Sequence, residues 1–162
     1  MKKYKHVLVI GKFMNPHIGH EALIEHAISL GEKVSVVVCA TPDDRVSPYR
    51  RQSWLRETFG YRADFDIFNY LDEGLEGGEE SDRDISAVWA KWVTFRYDGS
   101  VDALVGSEDY VTYMAEASEG SFVAEIFDQD RLAYPCSSTG VHNGDTDFYL
   151  PVCKRDLLGE PL

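Results

Sequence analysis

Two uninterrupted apolar runs organise the first third of the chain. Val7-Leu8-Val9-Ile10 is closed by Gly11, and Val34-Ser35-Val36-Val37-Val38-Cys39-Ala40 is followed by Thr41-Pro42-Asp43-Asp44. Short β-branched runs without polar alternation predict strands covered on both faces, the second ending in a turn. Between them, Glu21 to Leu30 places Leu23, Ala27 and Leu30 on one helical face, with Ile24 and Ile28 beside them and Gly31 as C-cap. Strand, helix and strand in that length predict a βαβ unit with a right-handed crossover. Its first loop falls at the carboxyl edge of the sheet, where α/β proteins bind ligands.

The alternation continues. Helices are predicted from about Tyr49 to Phe59, from about Asp84 to Tyr97 (carrying Ile85, Val88, Trp89, Trp92 and Val93) and from about Asp109 to Ser118. Strands are predicted over Phe65 to Phe68, Asp102 to Val105 and Phe122 to Phe127. The expected fold is α/β, a single open, mostly parallel five-stranded sheet with helices on both faces. Asp72 to Asp84 is acidic and glycine-rich, with Arg83 its only cation, and reads as an exposed loop; a metal role is the minor alternative. Residues 149–162 read as a short helical tail with Pro151 near its start.

Length adds that 162 residues make one domain, spanning 1–162, with enough chain for a real core. The formal charge of −12 argues against a nucleic-acid partner, while a small phosphorylated ligand needs only a few converging donors. Cys39, Cys136 and Cys153 are scattered and odd in number, which suits a reducing compartment. The basic start before Val7 is followed by too short an apolar stretch for a signal peptide, and no run is long enough to span a membrane. A cytoplasmic protein without membrane attachment is expected.

The candidate chemistry lies where the first strand meets its helix. His17 and His20 flank Gly19 there, and a helix N-terminus offers unpaired amides and a positive dipole to a phosphate group. The imidazoles would add charge-assisted donors if protonated, and Gly19 removes bulk. The plainer alternative is two histidines at the polar end of a helix opened by glycine. Zinc lacks an evident further ligand apart from Glu21. Neither a Walker A loop nor the three-glycine dinucleotide fingerprint is present. A second cradle is offered by Pro135-Cys136-Ser137-Ser138-Thr139-Gly140-Val141-His142, with an ordinary helix cap as the alternative. Arg50, Arg51 and Arg131 are candidate cations, or solvated surface groups. Trp89 and Trp92, three residues apart on one helical face, suit core packing better than base stacking.

Gly11-Lys12-Phe13-Met14-Asn15-Pro16-His17-Ile18-Gly19-His20 resembles the Gly-x-Phe-x-Pro-x-His-x-Gly-His signature of the nucleotidyltransferase superfamily. Ser137-Ser138-Thr139-Gly140-Val141-His142 resembles its late Ser-Ser/Gly-Thr-x-Ile-Arg motif. Within the superfamily the chain is similar to nicotinamide mononucleotide adenylyltransferases of the archaeal and NadR-like type. That likeness extends to Arg50-Arg51-Gln52-Ser53-Trp54-Leu55, to Val101 through Tyr110, to Phe127-Asp128-Gln129-Asp130-Arg131 and to Tyr149-Leu150-Pro151.

The resemblance implies adenylyl transfer from ATP, accompanied by Mg2+ carried mainly on the ATP, to nicotinamide mononucleotide. It also implies a homo-oligomer. His17, His20 and Lys12 would be catalytic, holding the triphosphate, with Ser138 and Thr139 closing its far side. Gly11, Phe13, Met14, Gly19, Tyr110, Asp130, Arg131 and Ser137 would line the nucleotide site, Arg51 would lie near the substrates, and Trp89 would stack on nicotinamide. No protein metal site is implied. Two departures stand out: His142 replaces the motif's arginine, exchanging a permanent bidentate donor for a titratable one, and Val111 stands where the NadR-like pattern has glycine after tyrosine. A phosphopantetheine adenylyltransferase, a cytidylyltransferase and a non-catalytic nucleotide sensor are the alternative functions.

Overall fold

The computed structural model describes residues 2–69, 79–127 and 146–162, with the backbone alone for 79–82. Five strands, β1 (Tyr4–Gly11), β2 (Gly31–Ala40), β3 (Asp64–Asn69), β4 (Ala103–Gly106) and β5 (Val123–Ile126), form one sheet in the order β3-β2-β1-β4-β5. Every pairing is parallel, including Val7 with Val34 and Val9 with Val105. Between the strands run α1 (Ile18–Leu30), α2 (Pro48–Phe59), α3 (Glu79–Arg96) and α4 (Tyr110–Ala117). The short α5 (Pro151–Cys153) continues as a wider turn over Lys154–Leu158.

The apolar runs form strands because both faces of the sheet are covered. Val7 and Val9 of β1 join Val34, Val36 and Val38 of β2 beneath Leu23, Ile24 and Ala27 of α1 and Leu55 and Phe59 of α2. The alternate residues, Leu8, Ile10, Val37 and Cys39, face Trp89, Ala90 and Val93 of α3 and Val111 and Met114 of α4. Side chains alternate with period two along a strand, so one unbroken run supplies two cores. Each fully buried Val or Leu contributes roughly 1.5–3 kcal/mol.

One expectation is corrected. The chain enters α3 at Glu79, inside the stretch expected to be an exposed loop up to Asp84. Acidic residue types suit the first turn of a helix, where the dipole is positive, so a charge run reads equally well as a helix start. Residues 72–78, the earlier part of that stretch, lie outside the described residues.

At the amino edge of the sheet His6 is buried, with Nδ1 at 3.0 Å from Ser100 Oγ and Nε2 at 2.8 Å from Ser35 Oγ. The Tyr97 ring meets it edge-on at 5.5 Å, and the His6 amide donates to Asp102 at 2.9 Å. Among the described residues no helix is long and apolar enough to cross a membrane, and Cys39 and Cys153 are buried free thiols.

Candidate active site at the carboxyl edge of the sheet

Strand order reverses on either side of β1, so the carboxyl ends of β1 and β4 flank the crevice in which open α/β sheets bind ligands. Gly11 ends β1 and Gly106 ends β4. The Tyr110 hydroxyl donates to the Ile10 carbonyl at 2.7 Å and fastens the start of α4 to β1. Burial pushes that hydroxyl's pKa far above its ordinary value, so it serves as a donor and not as an acid.

The loop from Gly11 to His17 turns sharply. Phe13 and Asn15 have φ of 51° and 56°, a region that L side chains adopt only when the surroundings hold them there. Phe13 and Met14 are buried. The Phe13 ring packs into the α1/α2 core and edge-on to His20, with centroids 5.0 Å apart. A Cβ on Gly11 would sit 3.1 Å from that ring, so glycine admits the close approach.

His17 is the N-cap of α1. Its Nδ1 accepts from the amides of Gly19 at 3.1 Å and His20 at 3.3 Å, and His20 Nδ1 accepts from the His17 amide at 3.2 Å. The rings stack at 3.7 Å and 18°. This is a capping box built from imidazoles in place of the usual hydroxyl and carboxylate. Because each Nδ1 uses its lone pair as an acceptor, the proton of each neutral ring sits on Nε2.

Two expectations are sharpened by this arrangement. The first-turn amides are not bare: Ile18 donates to the Phe148 carbonyl at 2.9 Å, and Gly19 and His20 donate to His17. An anion here would therefore meet Lys12 and the partly exposed His20 ring, with the buried His17 ring stacked behind it, instead of an open amide cradle. Nor is a protonated ring compatible with its own cap, since a proton on Nδ1 would displace the amides it accepts from.

Arg51 is fully buried and its guanidinium holds the loops together. Nη1 donates to the carbonyls of Lys12 at 2.6 Å and Cys39 at 2.9 Å, Nε to Val46 O at 3.1 Å, and Nη2 to Asp44 at 2.7 Å. Lys12 extends its ammonium to 3.7 Å from the same carboxylate while its side chain stays 42% exposed. Burial pulls the Asp44 pKa upward, but the Thr41 amide and hydroxyl together with Arg51 and Lys12 outweigh it and leave it below the ordinary carboxylate value. A cleft of about 480 Å³ opens beside this cluster, beyond the ends of β2 and β3, lined by Thr41, Pro42, Asp44, Ser47, Pro48 and Asn69.

Gly11, Lys12, Phe13, Met14, His17, Gly19 and His20 are thus gathered on one strand-to-helix junction, with Arg51 beneath it and Tyr110 at its flank. Trp89 lies deeper, 7% exposed in the α3/α4 core and edge-on to Tyr110 at 6.2 Å and Phe68 at 6.4 Å; it is Trp92 that stacks flat, on Phe68 at 4.4 Å. Val111 is buried, and a Cβ on Gly106 would lie 2.3 Å from its Cγ2, so glycine at the end of β4 makes room for the valine. Asp130, Arg131, Ser137, Ser138, Thr139 and His142 lie outside the described residues.

Sequence reasoning missed Asp44, Asn15 and Tyr149. Asp44 carried a local signal, since a Thr-x-x-Asp turn places the carboxylate on the threonine amide and hydroxyl. Tyr149 stood in the family likeness without a role, because its partners Asn15 and His17 are distant in sequence.

No protein-family model and no curated protein sequence matches the chain. Solved structures do. A NadR protein in complex with NAD and AMP-PNP superposes with a TM-score of 0.64 at 18% identity, over 96% of this chain and 47% of that one. A bifunctional NMN adenylyltransferase/ADP ribose pyrophosphatase from Francisella tularensis, complexed with AMP and a manganese ion, gives 0.53 at 18%, over 97% and 52%. A putative nicotinate-nucleotide adenylyltransferase from Vibrio parahaemolyticus gives 0.54 at 16%, over 98% and 93%. The chain spans about half the length of the first two. The chain thus shares an all-parallel, nucleotidyltransferase-like fold with the NadR protein and these adenylyltransferases.

Proposed function

We propose that the chain transfers the adenylyl group of ATP to nicotinamide mononucleotide, giving NAD and pyrophosphate, in the cytoplasm. The observation that carries the reading is the imidazole capping box, which stacks two histidine rings side by side at the switch point of the sheet. The structural likeness to NadR and to NMN adenylyltransferases supports the nucleotide class.

In this reaction a phosphate oxygen of the mononucleotide attacks the α-phosphorus of ATP, and the bond to the β,γ-pyrophosphate breaks. The nucleophile is already an anion near neutral pH, so no general base is needed. Rate enhancement comes from in-line placement and from donors aimed where charge grows on the leaving group. In this reading the His20 ring donates to the phosphates, the His17 ring reaches them only from its buried position behind it, and Lys12 is the mobile cation. Arg51 keeps the Lys12 carbonyl, and so the loop, in place. Among the described residues the carboxylate of the cluster, Asp44, already serves Arg51 and Lys12, so magnesium would be held by the phosphate oxygens, where it would neutralise their charge. The cleft beside Asp44 and the start of α2 is the proposed seat of the acceptor nucleotide.

Incubation of the purified protein with magnesium ATP and, in parallel, nicotinamide mononucleotide or phosphopantetheine, and with CTP in place of ATP, tests the reading. The expected result is NAD and pyrophosphate in equal amounts from the first pairing alone. Pyrophosphate release only with another pairing, or tight ATP binding without turnover on any acceptor, would overturn it.

A further inference from the structure

We infer that residues 148–150 form a clamp that positions the two histidines, with Tyr149 and Asn15 as positioning residues. The inference deepens the adenylyl-transfer reading and rests on it for its kinetic readout.

The loop before α1 does not hold its own shape, since Phe13 and Asn15 both sit at positive φ. Its support comes from the far end of the chain. Ile18 donates to Phe148 O at 2.9 Å, Leu150 donates to Pro16 O at 3.0 Å, and His17 and Tyr149 face each other as an antiparallel bridge between those bonds. The backbone of His17 is therefore bracketed on both sides. Asn15 Nδ2 donates to the Tyr149 hydroxyl at 3.2 Å, which ties the strained turn to the same segment.

The clamp is anchored. Tyr149 and Leu150 are buried with Val152 and Cys153 against Trp54 of α2, and Trp54 Nε1 donates to Asp156 at 2.8 Å. The same helix carries Arg51, which holds the Lys12 carbonyl. Both ends of the loop, Lys12 and Pro16–Ile18, are thereby referred to α2. Asn15 Oδ1 is buried without a hydrogen-bond partner among the described residues. A side chain held at that cost places the loop more than it stabilises the fold.

Two variants isolate the contact. Tyr149→Phe removes one hydroxyl, and Asn15→Gly removes the side chain at a φ of 56° that glycine adopts freely. Each should lower kcat for NAD formation about tenfold with KM for ATP changed less than about twofold, because the misplacement is felt in the transition state. The double variant should be no slower than either single one. Long-range 1H–15N spectra of the imidazoles should show pure Nε2–H tautomers for His17 and His20 in the wild type and tautomer mixing in both variants. Wild-type turnover with unchanged nitrogen shifts, or effects that multiply in the double variant, overturn the inference. Should the wild-type protein form no NAD, the adenylyl-transfer reading fails, and the nitrogen shifts alone decide on the clamp.

Discussion

His17 and His20 join the helix cap through one ring atom and, in the proposed reaction, offer the other to phosphate. Nδ1 completes the start of α1, and the proton is thereby confined to Nε2. Replacing His20 with alanine removes one acceptor from the cap and one donor from the site. The folded fraction, read by circular dichroism, should be preserved, while kcat falls about a hundredfold, the usual cost of losing one transition-state donor. Activity within about twofold of wild type would contradict the assignment. Arg51 is the complementary case, a residue whose main work is structural. In Arg51→Met, Asp44 keeps its bonds from Thr41 and the more distant Lys12 but loses its close cation, and urea denaturation should show a loss of about 3 kcal/mol, the range for breaking a buried pair. Arg51→Lys should recover only part of this, because an ammonium cannot span the Lys12 and Cys39 carbonyls as the planar fork does.

Among the described glycines, Gly106 at the junction of β4 and α4 has the closest neighbour to an added Cβ. Gly106→Ala would drive its Cβ to 2.3 Å from Val111 Cγ2, whereas the Val111 Cβ lies at an ordinary 3.7 Å. The single substitution should cost about 1–3 kcal/mol by overpacking. In a Val111→Ala background the same change should cost far less, so thermal denaturation of the four proteins should reveal coupling. Additive losses would mean that the strain lies elsewhere. This fit also accounts for what could be read from sequence. The βαβ core was legible because doubly covered strands are unbroken apolar runs and α1 shows a helical face, both local signals. The early start of α3 was not, since acidic residues suit a loop and a helix's first turn alike. The pairing of 16–18 with 148–150 was not, because it is made by backbone groups that every residue carries.

Over the whole molecule, the two edges of the sheet respond to different pH windows. At the amino edge, burial, aided by Lys33, lowers the His6 pKa against the opposing pull of Asp102 and Asp64. The unfolded chain, with an ordinary histidine value near 6.5, then binds more protons than the folded one once pH drops below that value. Stability from this site is complete above about pH 6.5 and declines as pH falls below it. Asp44 is lowered as well, so its contribution persists above the ordinary carboxylate value and is lost only in more acid solution. A His6→Asn variant should therefore lose stability less steeply than the wild type as pH falls from about 7 to 5; an unchanged slope would refute the assignment. The candidate site was legible as a histidine motif, yet its donors' tautomers and its clamp emerge only once the chain ends meet. That meeting has a consequence in time. The five strands pair among residues 4–126, but the bridge at His17 needs Tyr149. On the ribosome or in refolding, the sheet can close while the histidine loop still lacks its brace, so recovery of secondary structure should run ahead of recovery of a competent site.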